Sequence, residues 1–401
     1  MPKADRKTAG SPPLSPPQGS GRPACLPGPS AERRQAGTPA AKRGAAFSAR
    51  RPLRLGFLAL TDAAPLVVAQ ERGFFARYGL TVVLEREVGW ATIREKIIYG
   101  ELDGAQALAP MLWATHLGLD CAATPVLAAF VFNLHGNAIT LSAALRDAGV
   151  RDVGSLRLVA KARRGESRLT LGVVFPFSTH HLHLRQWLEI AGIRPEHDVR
   201  IVVVPPAQMF RNLQAGTIDG YCAGEPWNSI AVRARAGWCP AWSAAQAPGH
   251  LEKVLMVTAR FAERRAPEHA ALVAALADAA AWCDEPANRE PLAAMLAAAP
   301  YLNLPERVIR PALAGRFDCG DGRVADVPDF FVFHRGEANA PAVAKAAALQ
   351  RELVSAGILP AGLDPELPRR LFREDLYREF LQPHHTHAHV SPSDLSGVAA
   401  T

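Results

Sequence analysis

From Leu53 onward, short runs of continuous or alternating apolar residues take turns with stretches whose apolar positions recur every three or four residues. LRLGFLAL and LTVVLERE have the aliphatic density of strands, while PLVVAQERGFFARYG between them has helical spacing and ends at Gly79. Further along, RIVVVPP reads as a strand, PAQMFRNLQAG as a helix and TIDGYCA as a strand again. This alternation predicts open α/β sheets with helices covering their faces.

Two segments share a pattern at a constant offset of 116 residues: IREKIIYGELDGAQALAP and MFRNLQAGTIDGYCAGEP. Gly100 matches Gly216, Asp103 matches Asp219, Gly104 matches Gly220 and Pro110 matches Pro226. Each segment reads as a helix, a glycine cap, and a strand that opens on an acid-glycine turn and runs into a loop. The expected architecture is two α/β lobes facing each other across a ligand cleft. Residues 51–140 plus 250–380 are expected to build the first lobe, discontinuously, and 141–249 the second.

Composition narrows the function classes. The 401 residues are 49% hydrophobic and 21% charged, as in a soluble globular protein. The net charge of +7 lies entirely in residues 1–50, which hold nine Lys/Arg against two acids. Residues 51–401 carry 36 basic and 36 acidic side chains, and a neutral body argues against nucleic acid as the main partner. The first fifty residues are rich in Pro, Gly, Ser and Ala and read as a disordered basic tail; residues 381–401 read as a polar, His-rich one. No signal-peptide core is recognised, and Arg50-Arg51 precede a run broken by Arg54 and Asp62, so the expected address is cytoplasmic. No apolar run is long enough to span a membrane. Cys25, Cys121, Cys222, Cys239, Cys283 and Cys319 are scattered and read as free thiols.

The stretch FPFSTHHLHLRQWL places three histidines within four residues. Ser178 or Thr179 is a good N-cap, which puts His180 in the first turn of a helix, where unpaired backbone N–H groups favour an anion. Only His180 and His183 share a helix face, His181 points elsewhere, and no cysteine pair accompanies them, so metal is set aside here. A metal-dependent hydrolase on His180 and His183 is the least supported alternative, because the sequence nominates no carboxylate as third ligand. The tail stretch HHTHAH (His384–His389) reads as an adventitious metal binder. G-x-S-x-G and Ser-His-Asp signals are absent, so no enzyme activity and no cofactor is expected.

LTDAAPLVVAQERGFF, REVGWATIREK, LDGAQALAPM, GNAITLS, FPFSTHHLHLRQWL, VVVPPAQM, IDGYCAGEPWN and LEKVL occur in that order. Over about Arg54 to Phe380 the chain resembles the nitrate/bicarbonate solute-binding family. The resemblance implies a two-lobed periplasmic-binding-protein fold of type II and a small inorganic anion, nitrate or nitrite, as ligand. Exported members deliver nitrate, nitrite or bicarbonate to an ABC permease. A cytoplasmic branch senses nitrate or nitrite and restrains an antitermination regulator. KARRGESRLTLGVVFPFSTH and the unrecognised export signal resemble that sensor branch, which is the leading expectation; transport is the alternative. Thiamine-precursor and sulfonate binders share the fold.

The resemblance also implies which residues hold the anion. Trp90 offers an indole N–H, a donor that cannot repel an anion. Asn137 in GNAIT offers an amide, His180 an imidazole at a helix start, and Gly224 in AGEPWN a close backbone approach. Lys253 in LEKVL supplies the formal charge and favours nitrate or nitrite, since bicarbonate binders bear an acid there and use a cation. The chain departs from the family at His181, where Asn is usual, and at His250-Leu251, where His-Pro is common.

Overall fold

Thirteen strands form two large sheets and one small hairpin in the computed structural model, which describes residues 51–382 apart from Arg164. The N-terminal tail, Cys25 and the HHTHAH stretch lie outside the described residues. In chain order the strands are β1 (Leu53–Leu58), β2 (Val82–Glu87), β3 (Gly104–Leu108), β4 (Val126–His135), β5 (Asn137–Ser142), β6 (Leu169–Val173) and β7 (Val199–Val203). There follow β8 (Gly220–Gly224), β9 (Gly237–Trp242), β10 (Leu251–Thr258), β11 (Arg316–Asp318), β12 (Val324–Asp326) and β13 (Phe331–Val332). One sheet runs β13-β4-β10-β3-β1-β2 and the other β7-β6-β8-β5-β9, with β11-β12 as the hairpin.

The sequence repeat has a structural counterpart. β1 pairs in parallel with β2 and β3, and β6 in parallel with β7 and β8. Leu55 lies opposite Gly104, and Leu171 opposite Gly220, at the same offset. Asp103 Oδ2 accepts from Arg54 N at 2.9 Å, and Asp219 Oδ2 accepts from Thr170 N at 2.8 Å, so each aspartate starts its strand by holding the neighbouring one. Gly56 and Gly172 let neighbouring side chains pack closely on their strands: a Cβ would come within 2.5 Å of Leu102 Cδ1 at the first and 2.9 Å of Met209 Sδ at the second. The fourth matched position agrees in role and differs in peptide geometry. Pro110 and Pro226 both stand at the N-cap of a helix, Met111–Leu117 and Trp227–Arg233, but only Pro226 follows a cis peptide bond, from Glu225.

The expected single helix PLVVAQERGFFARYG is two, Ala64–Glu71 and Phe74–Arg77. Gly73 adopts φ +69 between them, and the break turns Phe74 and Phe75 into the core. The chain crosses from the first sheet to the second through His135 and Gly136, at φ +63 and +95. A Cβ on Gly136 would stand 2.3 Å from Phe331 Cε1, so only glycine fits this crossing. It returns between β9 and β10, and β10 then runs antiparallel between β3 and β4.

Three apolar clusters hold the described residues together. One packs the helices Ala64–Glu71 and Ala266–Asp284 on the first sheet, with Val67, Phe130 and Leu276 at its centre. Another, around Leu141, Leu171, Leu184 and Trp238, belongs to the second sheet. The remaining cluster joins Leu58, Trp90 and Val254 with Phe175, Leu182 and Ala223, so the two lobes share apolar contact around the cleft. Five described cysteines are free thiols, and no helix among the described residues is long and apolar enough to cross a membrane.

Candidate functional site

Lys253 is fully buried at the start of β10, an environment that ordinarily expels an ammonium group. It persists because two carboxylates meet it: Asp62 Oδ2 at 2.8 Å and Glu252 Oε1 at 2.7 Å. Consecutive strand residues normally face opposite sides of a sheet. The β10–β4 ladder slips register at Leu251, Lys253 and Val254, and this irregularity lets adjacent Glu252 and Lys253 touch. Asp62 arrives from the short 3-10 turn Thr61–Ala63 after β1. Gln106 on β3 fixes it, donating from Nε2 to Asp62 Oδ1 at 2.5 Å while its own oxygen accepts from Leu58 N at 3.2 Å.

Burial and ion pairing pull these groups in opposite directions. Burial pushes the Asp62 carboxyl above its ordinary range against the attraction of Lys253. Burial is again the largest single influence on Glu252, but the pull of Lys253 together with that of His180 and His250 exceeds it and holds that carboxyl below its usual range. Burial opposes the Lys253 charge too, and its two acidic neighbours overcome the penalty and raise it. Lys253 and Glu252 are therefore charged, and Asp62 is the group nearest to taking a proton.

Around this triad lie polar atoms with no hydrogen-bond partner among the described residues. Trp90 Nε1, both side-chain atoms of Asn137 and both ring nitrogens of His180 are buried and unpaired. Buried polar groups are nearly always paired, so this cluster makes the space beside Lys253 the candidate binding site. Trp90 opens the helix Trp90–Ile98, and its ring centroid is 5.5 Å from Lys253 Nζ. Asn137 on β5 lies opposite Gly224 on β8. A Cβ on Gly224 would stand 3.6 Å from Asn137 Oδ1, Asp62 Oδ2 and Leu60 Cδ2, which places Gly224 against the same space.

His180 sits in the first turn of the helix Thr179–Ile190, as its spacing predicts. Ser178 is the N-cap, its Oγ accepting from His181 N at 3.1 Å and donating to Phe175 O at 2.7 Å. His180 Nδ1 is 3.7 Å from Glu252 Oε1, and burial drives its pKa down to about 3, leaving it neutral. Thr179 donates its hydroxyl to Glu252 Oε2. The three histidines diverge: His181 Nδ1 meets Pro176 O at 2.8 Å, and His183 faces His250, their ring centroids 4.4 Å apart.

Trp90, Asn137, His180, Gly224 and Lys253 are thus brought to one buried place by five separate elements. Sequence reading gave no site role to Asp62, Gln106, Thr179 or Glu252, although each stands inside a quoted motif: LTDAAP, LDGAQALAP, FSTH and LEKVL. An acid directly beside a lysine was the available signal.

Comparison with known proteins agrees with this architecture. The NMT1-like family matches residues 48–297. The nitrate import ATP-binding protein NrtC of Synechocystis sp. PCC 6803 is 37% identical over 349 residues, covering 86% of this chain and 51% of that protein. The chain therefore spans about half the length of NrtC. The nitrate/nitrite binding protein NrtA of Synechococcus elongatus PCC 7942 is 33% identical over 357 residues, covering 86% of this chain and 80% of NrtA. The crystal structure of the periplasmic nitrate-binding protein NrtA from Synechocystis PCC 6803 superposes with a TM-score of 0.79 at 29% identity, covering 86% of this chain and 90% of that one. The fold is that of a two-lobed periplasmic binding protein. The chain belongs to the NMT1-like family, among its nitrate/bicarbonate solute-binding members close to NrtA.

Proposed function

We propose that this protein is the solute-binding component of an ABC importer, holding nitrate or nitrite between its lobes beside Lys253. The observation that carries this reading is the set of buried, unpaired donors, Trp90 Nε1, Asn137 Nδ2 and a His180 ring nitrogen, gathered around a buried ammonium. Nitrate is a small planar monoanion whose charge is spread over three oxygens, so several directed donors and one cation suit it. Trp90 and Lys253 come from the first sheet's side of the cleft, and His180 and Gly224 from the second's. An anion touching both sides binds the closed form more tightly than the open one and shifts the balance toward closure. The protein acts by binding and performs no chemistry on its ligand.

The importer reading stands ahead of the cytoplasmic sensor that sequence features suggested. The relatives are named for nitrate import or for nitrate/nitrite binding, and one is described as periplasmic. An ABC permease is accordingly the favoured protein partner and the periplasm the favoured location; an antitermination regulator draws no support from these relatives. Nitrate at saturating concentration should raise the melting temperature of the full chain, because a ligand bound only by the native state stabilises it. Equal melting with and without nitrate, nitrite or bicarbonate would remove the ligand assignment. Recovery from the cytosol in complex with a soluble regulator would overturn the importer role while leaving the anion site in place.

A further inference from the structure

We infer that His183, His250 and Glu252 form a transition-metal site that bridges the two lobes. Each offers one ligand atom, and these atoms lie within 4.8 Å of one another. His183 projects from the helix Thr179–Ile190 of the second lobe, while His250 and Glu252 lie at the start of β10 in the first. A metal held by all three would tie the lobes together at a point next to Lys253.

The donors are prepared for this. Both ring nitrogens of His183 and Nε2 of His250 have no hydrogen-bond partner among the described residues. His183 is 1% exposed, and the His250 side chain 9%. His250 Nδ1 lies 3.1 Å from Leu251 O and 3.7 Å from Glu252 Oε2, and Nε2 has no partner among the described residues, so the tautomer decides which nitrogen faces the ion. His135 supports the turn without joining it: its Nε2 accepts from Gly249 N at 2.6 Å, and its Nδ1 donates to Asp329 O at 2.7 Å.

Two imidazoles and one carboxylate suit zinc or a similar first-row ion, whereas calcium and magnesium prefer oxygen throughout. Zinc–ligand bonds of about 2.0–2.2 Å put tetrahedral ligand atoms roughly 3.4 Å apart. Donors already within 4.8 Å have at most about 1.4 Å to close to reach that spacing. A cavity of about 640 Å³ lined by Thr179, His183, Gly249, His250, Lys345 and Glu352 gives an ion access from solvent. Three protein ligands leave the fourth position to water. Glu252 Oε1 already pairs with Lys253, so a metal on this carboxylate would also weaken its hold on the ammonium.

The test is zinc binding to the full chain, with His384, His385, His387 and His389 replaced by alanine to silence the tail. Competition against a chromophoric chelator should find one ion per chain, and cobalt in its place should give the intense visible bands of a four-coordinate site. His183→Ala and His250→Ala should each weaken zinc by tenfold or more, while His116→Ala, outside the cluster, should not. His183→Gln and His250→Gln preserve bulk and serve if the alanine variants misfold. No stoichiometric zinc, or zinc affinity indifferent to both histidines, would overturn the site. This inference does not depend on nitrate binding and fails separately from it.

Discussion

Lys253 Nζ lies 2.8 Å from Asp62 Oδ2, and both side chains are buried, 0% and 1% exposed. With Glu252 at 2.7 Å on the other side, one ammonium faces two carboxylates. An incoming anion would meet net negative charge if both acids stayed ionised, which a water-poor site tolerates badly. Burial has already raised Asp62 toward the protonated form, so we expect anion binding to take up a proton there. The sign follows: the protonated acid favours the anion, and affinity falls as pH rises through the Asp62 pKa. Dissociation constants measured upward in pH from the ordinary carboxyl value of about 4 should weaken, by at most about tenfold per unit. Asp62→Asn should flatten the profile; an unchanged slope would place the proton on another group.

Gly224 separates folding from binding. Its backbone does not need positive φ, and an added Cβ meets its neighbours at 3.6 Å, an ordinary contact. Gly224→Ala should therefore fold with stability within about 1 kcal/mol of the parent. Its methyl group projects into the space shared with Asn137 and Asp62, so anion affinity should fall at least several-fold. Calorimetric melting beside anion titration checks both halves, and retained affinity would move the ligand away from β8.

Trp90→Phe keeps the buried ring and deletes only an N–H that has no partner among the described residues. Stability should hold or rise slightly, since an unsatisfied buried donor costs about 1–3 kcal/mol. Anion binding should weaken by about ten- to a hundredfold, the worth of a hydrogen bond to a charged group. A variant that melts earlier yet binds normally would make Trp90 a packing residue.

The repeat shows how far such positions could be read in advance. Gly100, Asp103 and Gly104 match Gly216, Asp219 and Gly220 because each triplet turns a helix into a strand under the same local rules, and local rules are visible in sequence. The same offset also relates Gly56 to Gly172, Ile93 to Met209 and Leu102 to Ile218. Those matches escaped notice because a glycine needed for packing declares itself only when the side chain above it is known. The charged heart of the site behaves likewise. Asp62 and Glu252 stood in view as motif letters, yet their common lysine depends on a turn after β1 and a ladder irregularity in β10, neither written locally. His183 had no visible partner within its helix because His250 comes from the connection before β10, far along the chain. Gly73, by contrast, could have warned that PLVVAQERGFFARYG is two helices.

Glu225 offers a stability test apart from the ligand. Its Oε2 accepts from Ser229 N at 3.2 Å, its Oε1 has no partner among the described residues, and burial raises its pKa from 4.5 to about 7. The folded protein thus binds this proton more tightly than the unfolded chain, and stability falls as pH rises from 4.5 to about 7. Glu225→Gln should remove that loss and stabilise the protein at pH 8 by up to about 3 kcal/mol. Denaturant unfolding of both forms at about pH 5 and pH 8 measures the difference; a variant no more stable at the higher pH would mean that the carboxylate is solvated or paired.

Isothermal titration of nitrate into the full chain, beside Lys253→Met, bears most directly on the anion site. The expected result is one site per chain with nitrate or nitrite, weakened by tenfold or more in the variant, in keeping with a lost charge-assisted bond of about 1.5–3 kcal/mol. Asp62→Asn in the Lys253→Met background should recover stability, by removing one uncompensated carboxylate, without recovering binding. Nitrate bound equally well without the Lys253 ammonium, or not bound at all by the folded parent, would contradict the assignment.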